Sequence, residues 1–151
     1  MIVDVEFQER YWYPDDGGQV WLAGYTLVDD EGRYLARDAH EVLSRGLHVV
    51  TVAGAQHRAE ALATAPAEPG APLELRRDPS NAHDPNAIEV LAGGVVIGFV
   101  PRDLATALAT ELDAGLPRSA VVLRERRASP RDPRTGLTML IAPDREIELH
   151  A

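Results

Sequence analysis

Asn81, Asp84 and Asn86 fall within six residues of one another, in the run D-P-S-N-A-H-D-P-N-A-I from Asp78 to Ile88. A carboxylate between two carboxamides offers several acceptors and amide donors, the groups that hold a hydroxyl or a phosphate. A loop carrying such groups between two rigid strands is a common place for binding. The same residues have a structural use, because Asx side chains cap turns by accepting backbone N–H groups. The two uses are compatible, since one carboxylate has more than one acceptor position. A second feature is the set of arginines at 124, 126, 127, 131 and 134. It could follow a phosphate backbone, or it could be a solvated loop beside acidic neighbours. Nothing points to catalysis. No G-x-S-x-G, P-loop or H-E-x-x-H occurs, and Ser44, Ser80, Ser119 and Ser129 lack a nucleophile's context. The absence of cysteine removes a thiolate nucleophile, a disulfide framework and a cysteine zinc site.

The elements that must position these residues are legible around them. Leu73 to Arg77 alternates as a strand, and Ala87 to Leu91 is a second. Gly93-Gly94 is a hairpin turn leading into an apolar strand, Val95 to Val100. Pro101 opens a helix on which Leu104, Leu108 and Leu112 lie one above another, with Gly115 beyond its end. Upstream, Val49 to Val52 is a strand, and His57 to Ala65 a short helix stopped by Pro66. Val20 to Val28 is a strand, Asp29 to Gly32 a turn, and Arg33 to Ala36 the returning strand, after a loop at Tyr13 to Gly18. Arg37 to Arg45 is a short helix or turn with Asp38 at its N-cap, ending at Gly46. Ala120 to Arg124 is a strand, Arg126 to Gly136 a polar mobile stretch, and Leu137 to Ala142 and Glu146 to Leu149 are short closing strands.

The 151 residues fit one domain. No run approaches the roughly 20 apolar residues that cross a bilayer, and M-I-V-D-V-E-F is not a secretory signal. The expectation is a cytoplasmic protein. The net charge of −9 runs against the basic excess of dedicated nucleic-acid binders. It is uneven: residues 1–45 carry −6, 46–125 carry −4 and 126–151 carry +1. All fifteen basic residues are arginine, which suits bidentate phosphate contacts and equally reflects a GC-rich coding bias.

Asn81, Asp84, Asn86-Ala87-Ile88, Val90, Gly94, Gly98 and Val100 stand at the spacing N-x-x-D-x-N-A-I-x-V…G-x-x-x-G-x-V. With Val49 to Gly54 upstream and Pro101 to Leu104 downstream, residues 46 to 125 resemble the HIRAN domain, in the form of its stand-alone bacterial members. The resemblance implies a mainly β fold: a β-barrel related to the OB fold, with two or three short helices. It also implies non-catalytic capture of a single-stranded DNA 3′ end, as in accessory domains of fork-remodelling enzymes that act in DNA repair. Asp84 would accept a hydrogen bond from the terminal 3′-hydroxyl, while Asn81, Asn86 and nearby amides hold sugar or phosphate. After Gly54, Gln56 stands where DNA-binding members have a basic residue, and His57 and Arg58 where they have a tyrosine pair. His83 stands where an aromatic residue is common. Histidine and arginine planes can stack on bases at or below the roughly 1–3 kcal/mol per base of aromatic stacking. Arg124 and other arginines near the cleft would hold phosphates. The fold would bring His57 toward His83 and Asp84, a possible metal shell, though no H-x-H or H-x-x-x-H spacing supports one, and no cofactor is expected.

Residues 1–45 are then an N-terminal extension with a β-hairpin, 46–125 the barrel, and 126–151 a loop and closing strands packed on the same domain. The alternative function is a protein–protein module that keeps the scaffold without binding DNA. Tyr11, Trp12, Tyr13, Trp21 and Tyr25 would be its contact residues, because aromatic side chains dominate interface hot spots. The same aromatics would otherwise cover the barrel's open edge and complete its core.

Overall fold

A computed structural model describes residues 4–12 and 20–143, with side chains from residue 21 onward. Among the described residues no helix is long and apolar enough to cross a membrane. Among the described residues eight strands carry the fold: β1 (Asp4–Trp12), β2 (Val20–Val28), β3 (His48–Thr51), β4 (Pro72–Arg77), β5 (Ile88–Ala92), β6 (Val95–Phe99), β7 (Arg118–Arg127) and β8 (Arg134–Pro143). Between them lie α1 (His40–Leu43), a 3-10 turn at Ala55–Arg58, α2 (Ala59–Thr64) and α3 (Arg102–Asp113).

These strands pair antiparallel throughout. The strands run β4–β5–β6 on one side of β7, while β8 and then β3 extend from its other edge. The two ends of this curled sheet meet just past β3. There Ala53 and Phe99 exchange two backbone hydrogen bonds, each 2.8 Å long. The result is the barrel-like, mainly β architecture that the resemblance implies. Gly98 lies at the seam. A Cβ there would come within 2.5 Å of the Ala53 carbonyl oxygen and Val52 Cγ1, so the close approach requires glycine.

Strand alternation builds two cores on opposite faces of β7 and β8. Val122, Met139 and Ile141 join Ile88, Val90 and Ile97 inside the barrel, under α2 and α3. Leu123, Leu140 and Ala142 face a second cluster completed by Leu27 of β2 and Val42 of α1. Leu108 is buried on α3, with Leu104 and Leu112 packed partly against the first core.

Several local expectations give way. The partner of β2 is β1, through nine residue pairs, and the Arg33–Ala36 segment makes one bridge, Tyr34 with Val28. The nine-residue β1 competes successfully for the β2 edge. Ala39, not Asp38, is the N-cap of α1. The stretch from Arg126 to Gly136 is strand at both ends, with residues 128–133 forming the turn between β7 and β8. Arg134 causes this: it is 4% exposed, lies 2.9 Å from Glu125 Oε2, and donates to the carbonyls of Leu62 and Ala65. A charge can enter a core only when it is paired and hydrogen-bonded in this way. The Tyr13–Gly18 loop and the Glu146–Leu149 strand lie outside the described residues.

Candidate functional site

The loop between β4 and β5 is closed by backbone bonds Asp78 to Ala87, Asn81 to Asp78 and Ala87 to Asp84. Its side chains tighten it further. Asn81 Oδ1 accepts the backbone N–H groups of His83 and Asp84, at 2.9 and 3.1 Å, and its Nδ2 donates to Asp78. Asp84 Oδ1 accepts the N–H of Asn86 at 2.8 Å. Arg77 braces the loop from β4 by donating to the carbonyls of Ala87 and Pro85, and is itself held by Asp113 of α3. The Asx capping role is therefore present at both Asn81 and Asp84.

Capping leaves the second oxygen of Asp84 for other work. It lies 3.6 Å from Arg102 Nε, at the start of α3, while Arg102 Nη2 donates to the His83 carbonyl at 2.8 Å. The Asp84 side chain is 18% exposed and that of Arg102 76%, so the pair spans a rim rather than a core. Such a pair is easily rearranged by a ligand. The rim bounds a cleft of about 260 Å³ lined by Asn81, His83, Asp84 and Arg102 together with apolar Ala53, Ala87, Phe99 and Val100. The cleft sits at the barrel seam, since Ala53 and Phe99 are the residues that close the sheet. Arg58 places its guanidinium 5.7 Å from the centroid of the Phe99 ring, within cation–π range.

Asn81, His83 and Asp84 thus share one cleft, with Arg58 joined to it through Phe99. Asn86 is half-buried and serves the turn through its backbone. Gly54, at φ +70°, lets the chain turn from the opening strand into the 3-10 segment. Gln56 and Arg124 line a different cleft of about 270 Å³, together with Thr51, Arg126, Thr135 and Thr138. His57 is exposed and lines neither. Among the described residues no three His, Cys, Asp or Glu side chains gather as a metal-binding group. Of the aromatic set near the N-terminus, Trp21 is buried and Tyr25 packs against the second core.

Phe99 and Arg102 are the cleft residues that sequence reasoning passed over. Arg102 did leave a signal. A cation at the first turn of a helix opposes the macrodipole, so its position asks for another partner, which Asp84 and the His83 carbonyl supply.

The model of the HIRAN domain family matches residues 45–142. The crystal structure of the HIRAN domain of human HLTF is 26% identical, covers 66% of this chain and 78% of its own, and superposes with a TM-score of 0.48. A protein from Lactobacillus plantarum is 23% identical over 63% of this chain and 91% of its own, also with a TM-score of 0.48. A Fanconi-associated nuclease 1 homolog from Oryza sativa subsp. japonica is 50% identical over 48 residues, 29% of this chain. The match spans 5% of that rice protein's length.

Proposed function

The chain belongs to the HIRAN domain family, and from that premise we propose that it is a non-catalytic module that binds single-stranded DNA by its 3′ end. The family is known for binding single-stranded DNA. The observation that carries the finer reading is the division of labour at Asp84, where one oxygen holds the turn and the other borders the cleft. In this reading the last base rests on the apolar lining at Phe99, and Asp84 accepts the terminal 3′-hydroxyl. Arg102 turns from Asp84 toward the last phosphate, and His83 and Arg58 flank the base. A duplex end offers no free nucleotide to such a cleft, so unpaired or frayed ends are preferred. Residues 46–125 carry the cleft, 1–45 form an extension, and 126–151 complete the same domain. The nuclease relative does not extend this reading to catalysis, because the shared segment is only 5% of that protein.

The test is fluorescence anisotropy with labelled single strands ending in a 3′-hydroxyl or a 3′-phosphate. Asp84→Asn keeps an acceptor for the Asn86 N–H but loses the carboxylate. We expect the parent chain to prefer the free hydroxyl and the variant to lose that preference. Equal binding of both ends by the parent would refute 3′-hydroxyl recognition.

A further inference from the structure

We propose that the second cleft, at the junction of β3, β7 and β8, binds a backbone phosphodiester of the same strand, upstream of the end held at Asp84, with Arg126 as the cation. The inference rests on the strand-binding reading above and adds a path for the strand beyond its last nucleotide. The two clefts are neighbours. Val52 lines one and Ala53, the next residue, lines the other, while Ala55 and Gln56 continue the wall of the second. A strand leaving the first cleft past the 53–58 segment meets the second.

Charge decides what that cleft can take. Seven of the described arginines (33, 76, 77, 102, 118, 127 and 134) are held in ion pairs, as a protein of net charge −9 readily allows. Arg126 is exposed, lines the second cleft, and has no ion pair among the described residues. The carboxylate in the lining is Glu125, and it is buried between Arg127 and Arg134, at 3.1 and 2.9 Å, so its charge is already answered. The rest of the polar lining is Arg124, whose Nη1 donates to the Tyr25 carbonyl, and the neutral Thr51, Gln56, Thr135 and Thr138. The cleft therefore presents positive charge with hydroxyl and amide donors on an otherwise acidic molecule. A guanidinium matches two oxygens of a phosphate in one plane. Gly136, opposite Arg126 in the β7–β8 ladder, leaves the space beside its stem open. A Cβ there would lie 3.7 Å from that stem.

The experiment uses the full chain, its Arg126→Gln and Arg126→Lys variants, and a single strand with a free 3′-hydroxyl. Each of the four linkages nearest the 3′ end is made uncharged in turn, as a methylphosphonate. Arg126→Gln should bind the unmodified strand roughly tenfold more weakly at low salt. It should also lower the salt slope by about 0.7, one phosphate's worth for a single strand. Its preference for a free 3′-hydroxyl should be unchanged. One methylphosphonate position should weaken the parent by a similar factor and leave Arg126→Gln unaffected, the non-additivity of a direct contact. Arg126→Lys should retain the parent's salt slope. Parent-like affinity and slope in Arg126→Gln would overturn this inference while leaving end recognition standing. Failure of the parent to bind any strand at low salt would overturn both.

Discussion

Asp84 and Arg134 show how differently single charged residues can be used in one small fold. Asp84 is a rim residue with one oxygen committed to a turn and one bordering a cleft. Its loss should therefore fall on binding more than on stability when the cap is preserved, as in Asp84→Asn. Arg134 is the reverse case. It is 4% exposed and ties β8 to α2 through two carbonyls and Glu125. Arg134→Met would strand Glu125 in the core with Arg127 as its remaining partner. We expect a loss of about 3 kcal/mol in urea unfolding, the cost of breaking a buried pair from one side. A change near zero would mean that Arg127 alone can hold the carboxylate. The loop residues Asn81 and Asp84 were legible because their spacing is local and their chemistry is plain. Arg134 was not, because an arginine among Ser, Pro and Asp reads as surface until its carbonyl partners, some 70 residues away, are known.

At the scale of elements, the segments from β4 to α3 could be read directly from sequence. Local alternation, the Gly93-Gly94 turn and the Pro101 helix start define them without distant information. The ladders that close the molecule are distant. β3 meets β8 and β2 meets β1 through registers that no local pattern states, and β7 and β8 run longer than their apolar cores suggest. The seam between Ala53 and Phe99 is the element-level feature on which the cleft depends. Gly98→Ala would push a methyl against the Ala53 carbonyl, at a cost of roughly 2 kcal/mol for overpacking. It should also raise the hydrogen-exchange rates of the Ala53 and Phe99 amides. Unchanged protection of those amides would show that the seam is not held by this contact.

At the scale of the molecule, seven of the described arginines are taken up in ion pairs on an acidic chain, and the placement of the others decides where an anion can approach. The same packing makes stability depend on pH near neutrality. Burial where β3 begins lowers the pKa of His48, with Glu111 opposing and Arg118 adding to the shift. A histidine whose folded pKa is depressed binds fewer protons folded than unfolded. Stability is then complete above the unfolded value of about 6.5 and falls as pH drops through the folded one. His48→Gln should flatten this part of a urea-midpoint profile, and an unchanged slope would assign it to other groups. Recognition of a strand's 3′ end, however, rests on the cleft beside Asp84. Its most direct measurement is the affinity of the full chain for one single strand prepared with a 3′-hydroxyl or a 3′-phosphate, at low salt. The hydroxyl end should bind more tightly, with the difference erased in Asp84→Asn. Equal affinity for the two ends in the parent chain would contradict it.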